Sequence, residues 1–148
     1  MKKLLFTILI ALHITNSNAQ EVIKLDDFGR IVLNTYVSND LKIPLEAKNQ
    51  LEIKLKQITS KYGMAGTVAN PRFIITASIS ITTKDIIAGP PQMIAQNMDI
   101  TLFVGDAIDN KVFANTTITS KGVGTNDNKA FIDAINKLMF KAKTLKLF

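Results

Sequence analysis

The sequence has no Cys and no Trp, only one His, and no apolar run long enough to cross a bilayer. Without Cys there is no disulfide framework, no thiol nucleophile and no thiolate metal site. The longest apolar run, Leu4 to Leu12, holds nine residues, against the roughly 20 that a membrane span needs. The single His, His13, lies just past that run. Lys2 and Lys3 precede the run, and Asn16-Ser17-Asn18-Ala19 follows it with small residues at 17 and 19. This is the basic, apolar and small-x-small layout of a secretory leader, with cleavage expected after Ala19. A leader of residues 1–19 takes His13 with it, so the exported chain is expected to contain no His.

The same cleavage lowers the charge. Losing Lys2 and Lys3 from 18 basic residues leaves 16 against 12 acidic ones, a net +4. The excess is mostly Lys, spread along the chain, without the basic clusters and interleaved aromatics of a nucleic-acid footprint. Of the whole chain, 47% is hydrophobic and 20% charged, enough apolar material for a core. The length suits one domain.

Residues 20–29 form a polar lead-in to a single domain expected over 30–143, followed by a short tail, 144–148. Arg30 to Val37 is rich in β-formers and reads as a first strand. Ala47, Leu51, Leu55, Ile58 and Tyr62 recur at helical spacing, which predicts a helix over 45–62, with Pro44 suited to its first turn and Gly63 to its end. Phe73 to Thr82 alternates strictly. Phe73, Ile75, Ala77, Ile79 and Ile81 face one way, and Ile74, Thr76, Ser78, Ser80 and Thr82 the other, the pattern of a half-buried antiparallel strand. Lys84 to Gln96 shows no period and contains Gly89-Pro90-Pro91, so a long loop is expected there. Met98 to Val104 and Val112 to Thr119 alternate again around a turn at 105–110, a hairpin. Lys121 to Asn126 then connects to a second helix over about 127–143, capped by Thr125 or Asn126 and carrying Phe131, Ile135, Leu138, Ala142 and Leu145 on one stripe. The expected fold is therefore α+β. It is a two-layer sandwich of order β-α-β-β-β-α, with two helices on one face of a mostly antiparallel four-stranded sheet.

The chemistry on offer is narrow. Without Cys or an exported His, the Ser-His-Asp, Cys-His and zinc sites are absent from the expected mature chain. Asp106 and Asp109, with Asp99 nearby, could gather a hard cation. They lack the Asp-x-Asp-x-Asp-Gly spacing of a calcium loop, and Asp is what hairpin turns use. Gly122-x-Gly124 falls short of a phosphate cradle, because position 127 is Asp127. It reads as a flexible strand-to-helix turn. Asp26-Asp27 reads as a solvated pair. What remains is a hydroxyl-rich strand face (Thr76, Ser78, Ser80, Thr82, Thr117, Thr119) and the Pro90-Pro91 loop as candidate partner surface.

Phe73-Ile74-Ile75-Thr76-Ala77 entering a strand, the hairpin from Ile100 to Thr119, Lys121-Gly122-Val123-Gly124, and Ala130 with Ala134-Ile135 in a closing helix resemble a known domain. It is the periplasmic α+β domain of bacterial envelope proteins, among them the curli-secretion lipoprotein and the outer-membrane activator of penicillin-binding proteins. The pattern is closer still to secreted proteins of Bacteroidetes that carry this domain followed by a helical region. Neither the lipoprotein Cys nor that helical continuation is present here. The resemblance implies assembly or partner binding in the envelope and supplies no catalytic residues.

The expected function is thus a non-enzymatic, exported binding or assembly module, periplasmic or extracellular. It would act on a protein partner or on itself through the hydroxyl face, a sheet edge or the loop at 84–97. No cofactor, nucleic acid or small molecule is expected. The alternatives are a structural subunit of a larger cellular or virion-borne assembly and, more weakly, a carboxylate-dependent hydrolase built on Asp106 or Asp109.

Overall fold

A computed structural model describes residues 31–67 and 71–138 of the chain. The expected leader, the lead-in with Asp26-Asp27, the tail, and Ala142 and Leu145 lie outside the described residues. The elements follow the order β1 (Asn34–Thr35), α1 (Leu45–Lys61), β2 (Phe73–Ile87), β3 (Met93–Asp106), β4 (Lys111–Gly124) and α2 (Asp127–Asn136). This is the expected α+β arrangement, two helices on a four-stranded mixed sheet of order β1-β2-β3-β4. β1 runs parallel to β2, and the other pairs are antiparallel.

The helix stripe read from the sequence forms the core. Ala47, Leu51, Leu55 and Ile58 of α1 are buried against Leu33, Ile75 and Ala77. Phe131, Ile135 and Leu138 of the second stripe meet Met98, Ile100 and Ile118. Pro44 is the N-cap of α1, one position before the expected first turn. Gly63 follows the helix with φ 69°, a conformation that costs glycine little. Asn126 caps α2, its side chain accepting from the Lys129 N–H at 2.9 Å.

Three expectations change. The first strand shrinks to two paired residues and an isolated bridge between Leu33 and Ala65. The long loop expected over 84–96 is mostly strand. β2 continues to Ile87, and β3 starts at Met93 opposite it. The period breaks at a bulge between Ile81 and Thr83, which inserts Thr82 and shifts the register. The prolines occupy only the hairpin tip, where Pro90-Pro91 is a cis peptide.

The third change concerns Gly122 and Gly124. They are not a flexible turn but the end of β4, buried beneath α2. A Cβ on Gly122 would lie 1.9 Å from the Ala130 carbonyl oxygen, and one on Gly124 would lie 2.5 Å from the Ala130 nitrogen. The glycines let the helix backbone rest on the strand backbone. Ser120, the preceding residue on that face, ties the same contact by donating to the Ala134 carbonyl at 2.9 Å.

The strands β2, β3 and β4 hold 14 or 15 residues and the helices 17 and 10. At about 3.3 Å per strand residue and 1.5 Å per helix residue, the sheet is roughly twice as long as its helical cover. Beyond the bulge, the exposed residues 82–92 of β2 and the hairpin tip form an arm.

Candidate functional site

Alternation and register together decide which candidate residues meet. β2, β3 and β4 align Ser78 with Thr101 and Thr117 in one row, and Ser80 with Asp99 and Thr119 in the next. Thr76 aligns with Phe103 and Asn115. The predicted residues Thr76, Ser78, Ser80, Thr117 and Thr119 therefore share the sheet face opposite the helices. Ser78, Ser80, Thr117 and Thr119 are exposed, and Thr76 is half-buried. Cross-strand hydrogen bonds organise the surface. The Thr101 and Thr117 hydroxyls are 2.9 Å apart, and the Thr119 hydroxyl donates to Asp99 at 2.7 Å. Thr101 and Asp99 join the face from β3, whose alternation alone does not show that its polar positions belong to the same surface.

Two other candidates lie elsewhere. Thr82 sits in the bulge, donating to the Asn97 carbonyl at 3.1 Å. Pro90 and Pro91 are ten or more residues beyond Ser80, about 30 Å along the arm, at the hairpin tip. The surface expected from the sequence is thus two separate places, a hydroxyl platform and a distant tip.

At the opposite end of the sheet the carboxylates have a structural task. Arg72 places its Nε 2.7 Å from Asp106 and its Nη2 3.0 Å from Asp109. Asp106 also accepts from the backbone N–H groups of Ile108 and Asp109, which fixes the turn. Asn110 closes that turn with φ 51°, a conformation Asn tolerates. The hydrogen bond from Arg72 holds the Asp106 carboxyl below the usual carboxylate range, against an opposing push from its burial, and the Asp109 and Ile108 N–H groups assist. Asp99 pairs with Thr119 seven residues up the strand and does not join this group. Arg72 was not singled out in the sequence. It lies 34 positions from Asp106, and single-sequence spacing carries no signal for such a pair. Among the described residues, no three His, Asp or Glu side chains gather as metal ligands.

Near this end, Ile74, Thr76, Phe103, Gly105 and Val112 border a shallow hollow of about 190 Å³, below the roughly 300 Å³ at which small-molecule sites begin. A broader depression of about 580 Å³ lies on the outer side of α1, along Ile53, Gln57 and Lys61.

A charged cluster surrounds the start of α2. Asp127 accepts from Gln96 Nε2 at 2.8 Å and from Lys84 Nζ at 2.9 Å, which links the arm of β2 to the helix. Farther along α2, Asp133 accepts from the Val123 N–H at 2.9 Å, and Lys137 donates to the Lys121 carbonyl at 2.9 Å. These two side chains occupy the outward backbone groups of β4. Burial pushes the Asp133 carboxyl up, but the hydrogen bonds from Lys137 and Val123 outweigh it, leaving the group below its ordinary range.

No protein-family model matches the chain, and no curated protein matches it. Solved structures are similar at low identity. A minor lipoprotein from Acinetobacter baumannii is 14% identical with a TM-score of 0.49, covering 76% of this chain and 88% of its own. A variant PelC dodecamer from Paraburkholderia phytofirmans is 16% identical with a TM-score of 0.45, covering 75% and 84%. A protein of the DUF330 family from Xanthomonas campestris is 12% identical with a TM-score of 0.41, covering 76% and 80%. At these values the likeness assigns this chain neither an activity nor a partner.

Proposed function

We propose that the domain is a non-enzymatic binding and assembly module, exported to the cell envelope, that presents its hydroxyl face to a protein partner. The observation that carries this reading is the platform itself. Three long strands bring Ser78, Ser80, Thr117 and Thr119 to one exposed surface, with Thr101 and Asp99 pre-ordered among them. Hydroxyls whose neighbours already fix them lose little freedom on docking, which favours a specific contact. The leader-like residues 1–19 support export, and no helix among the described residues is long and apolar enough to cross a membrane. The carboxylates nearest to a catalytic pair, Asp106 and Asp109, are held by Arg72 in a turn, which supports a binding role over a hydrolytic one.

The test is site-specific photo-crosslinking in intact cells, with the probe at Ser78 or Thr117 and a control probe at Ile53 on the outer side of α1. The expected result is a discrete adduct from the two face positions and none from Ile53. Equal labelling from all three positions, or none from any, would sink the reading.

A further inference from the structure

The two edges of the sheet are treated differently. On β4, Asp133 takes the Val123 N–H and Lys137 takes the Lys121 carbonyl. Side chains of α2 and of its C-cap thus occupy the upper part of that edge. On β2 the situation is reversed. β1 covers only Ile74 and Ile75, and the Tyr36 N–H donates to the Ile75 carbonyl. Among the described residues, no strand pairs with this edge from Ile79 to Ile87.

The direction of each backbone group follows from that one bond. Ile75 turns its carbonyl toward β1, so residues of the same parity, Ala77, Ile79 and Ile81, turn their N–H and C=O groups outward. The bulge at Thr82 changes the parity, and beyond it Lys84 and Ile86 point outward. Ile81, Ile86 and Ile87 are 46%, 65% and 48% exposed. A long, exposed edge with apolar side chains is what folded proteins avoid unless something covers it.

We propose that a second copy of this chain covers it, pairing β2 with β2 antiparallel about a two-fold axis at Thr83. This deepens the assembly reading above and rests on it. A two-fold axis normal to the sheet keeps each face on its own side. In this register Ile79 lies opposite Ile86 of the second copy, Ser80 opposite Asp85, Ile81 opposite Lys84, and Thr83 opposite its own equivalent. Apolar groups meet apolar groups or the Lys84 stem, hydroxyls meet a carboxylate or a hydroxyl, and no like charges are opposed. Four outward residues of each copy, Ile79, Ile81, Lys84 and Ile86, exchange backbone hydrogen bonds. The pairing starts beyond Tyr36 and stops before the Gly89-Pro90-Pro91 tip, so it uses just the uncovered stretch. The result is a continuous sheet through both copies.

The absence of Cys makes the test clean. Thr83 faces its equivalent in a non-hydrogen-bonded pair, where Cα atoms lie about 4.5 Å apart, within disulfide range. The full chain, purified after export, is expected to sediment as a dimer. Thr83→Cys should convert to a covalent dimer on mild oxidation. Ser78→Cys should not, because its equivalents are about 26 Å apart in this register. Ile81→Lys sets a second lysine against Lys84 and should weaken association about tenfold or more, with the circular dichroism unchanged. Ile86→Pro removes only outward groups and should do the same. A chain that remains monomeric at its highest soluble concentration overturns the pairing. So does a dimer in which Ser78→Cys crosslinks and Thr83→Cys does not. A monomer that still gives the face-specific photo-adduct overturns the edge pairing alone and leaves the binding reading standing.

Discussion

Replacing Gly122 by Ala tests whether α2 is positioned by backbone contact. The added methyl would lie 1.9 Å from the Ala130 carbonyl oxygen and 2.9 Å from both the Ala130 carbonyl carbon and the Ala134 Cβ. Ordinary contact begins near 3.4 Å, so the helix must retreat by about 1.5 Å. The nearest obstacle is main chain and has no rotamer to change. Retreat pulls Ala130, Phe131, Ala134 and Ile135 from the core and stretches the Ser120–Ala134 hydrogen bond. Overpacking costs about 1–3 kcal/mol, and the strained hydrogen bond adds about 1 kcal/mol. Against this, Ala restricts the unfolded chain and returns about 0.4–1 kcal/mol. The net expectation is a loss of about 2 kcal/mol, or a midpoint about 8–12 °C lower in a domain of this size. Urea and thermal unfolding followed by circular dichroism measure it. The double variant Gly122→Ala/Ala134→Gly should remain destabilised, because the Ala130 carbonyl still blocks the methyl. A change under about 0.5 kcal/mol, or a rescued double variant, would refute the backbone-contact argument.

Two further outcomes follow from the ends of the molecule. The Asp106 carboxyl is held below its ordinary value of 3.8. Its contribution is therefore complete above that value and is lost as pH falls through the lower folded one. Unfolding midpoints should drop below about pH 4, and Arg72→Ala should flatten that drop, whereas an unchanged acid limb would count against the ion pair. Asn126→Ala removes the cap that receives the Lys129 N–H and should cost about 1 kcal/mol in the same unfolding assay, while Asn126→Ser should restore most of it.

The parts of the fold read correctly from sequence are those whose pattern is local. The stripe Ala47, Leu51, Leu55, Ile58 needs no partner to be recognised, because helical spacing alone makes a face. The alternation from Phe73 to Ile81 marks a strand for the same reason. The arm was missed because a single inserted residue, Thr82, changes the phase in mid-strand, and because everything from Ile81 to Pro91 on that edge is exposed. With neither face buried, alternation carries no signal. Gly122 and Gly124 were misread because glycine between a strand and a helix usually marks a turn. Only the position of Ala130 above them reveals close packing. On the candidate surface, the hydroxyls of β2 and β4 were found from their own strands, and register then showed that Thr101 and Asp99 complete them. Arg72 with Asp106, and Asp133 with the β4 edge, are long-range pairs with no local signature.

The bulge at Thr82 also governs how the arm can vary in length. Residues inserted in pairs near the tip, one on each strand, lengthen the hairpin and leave every side chain on its face. A single residue gained or lost between the bulge and Ile87 would exchange the faces of the tip-ward part of that stretch. Deleting Thr82 itself would remove the extra residue and leave Thr83 opposite Asn97 and Lys84 opposite Gln96, so Lys84 would still reach Asp127. One extra residue thus acts as a phase marker. The sheet below it and the arm above it obey separate counts, and only changes that respect both counts keep the helix and the arm joined.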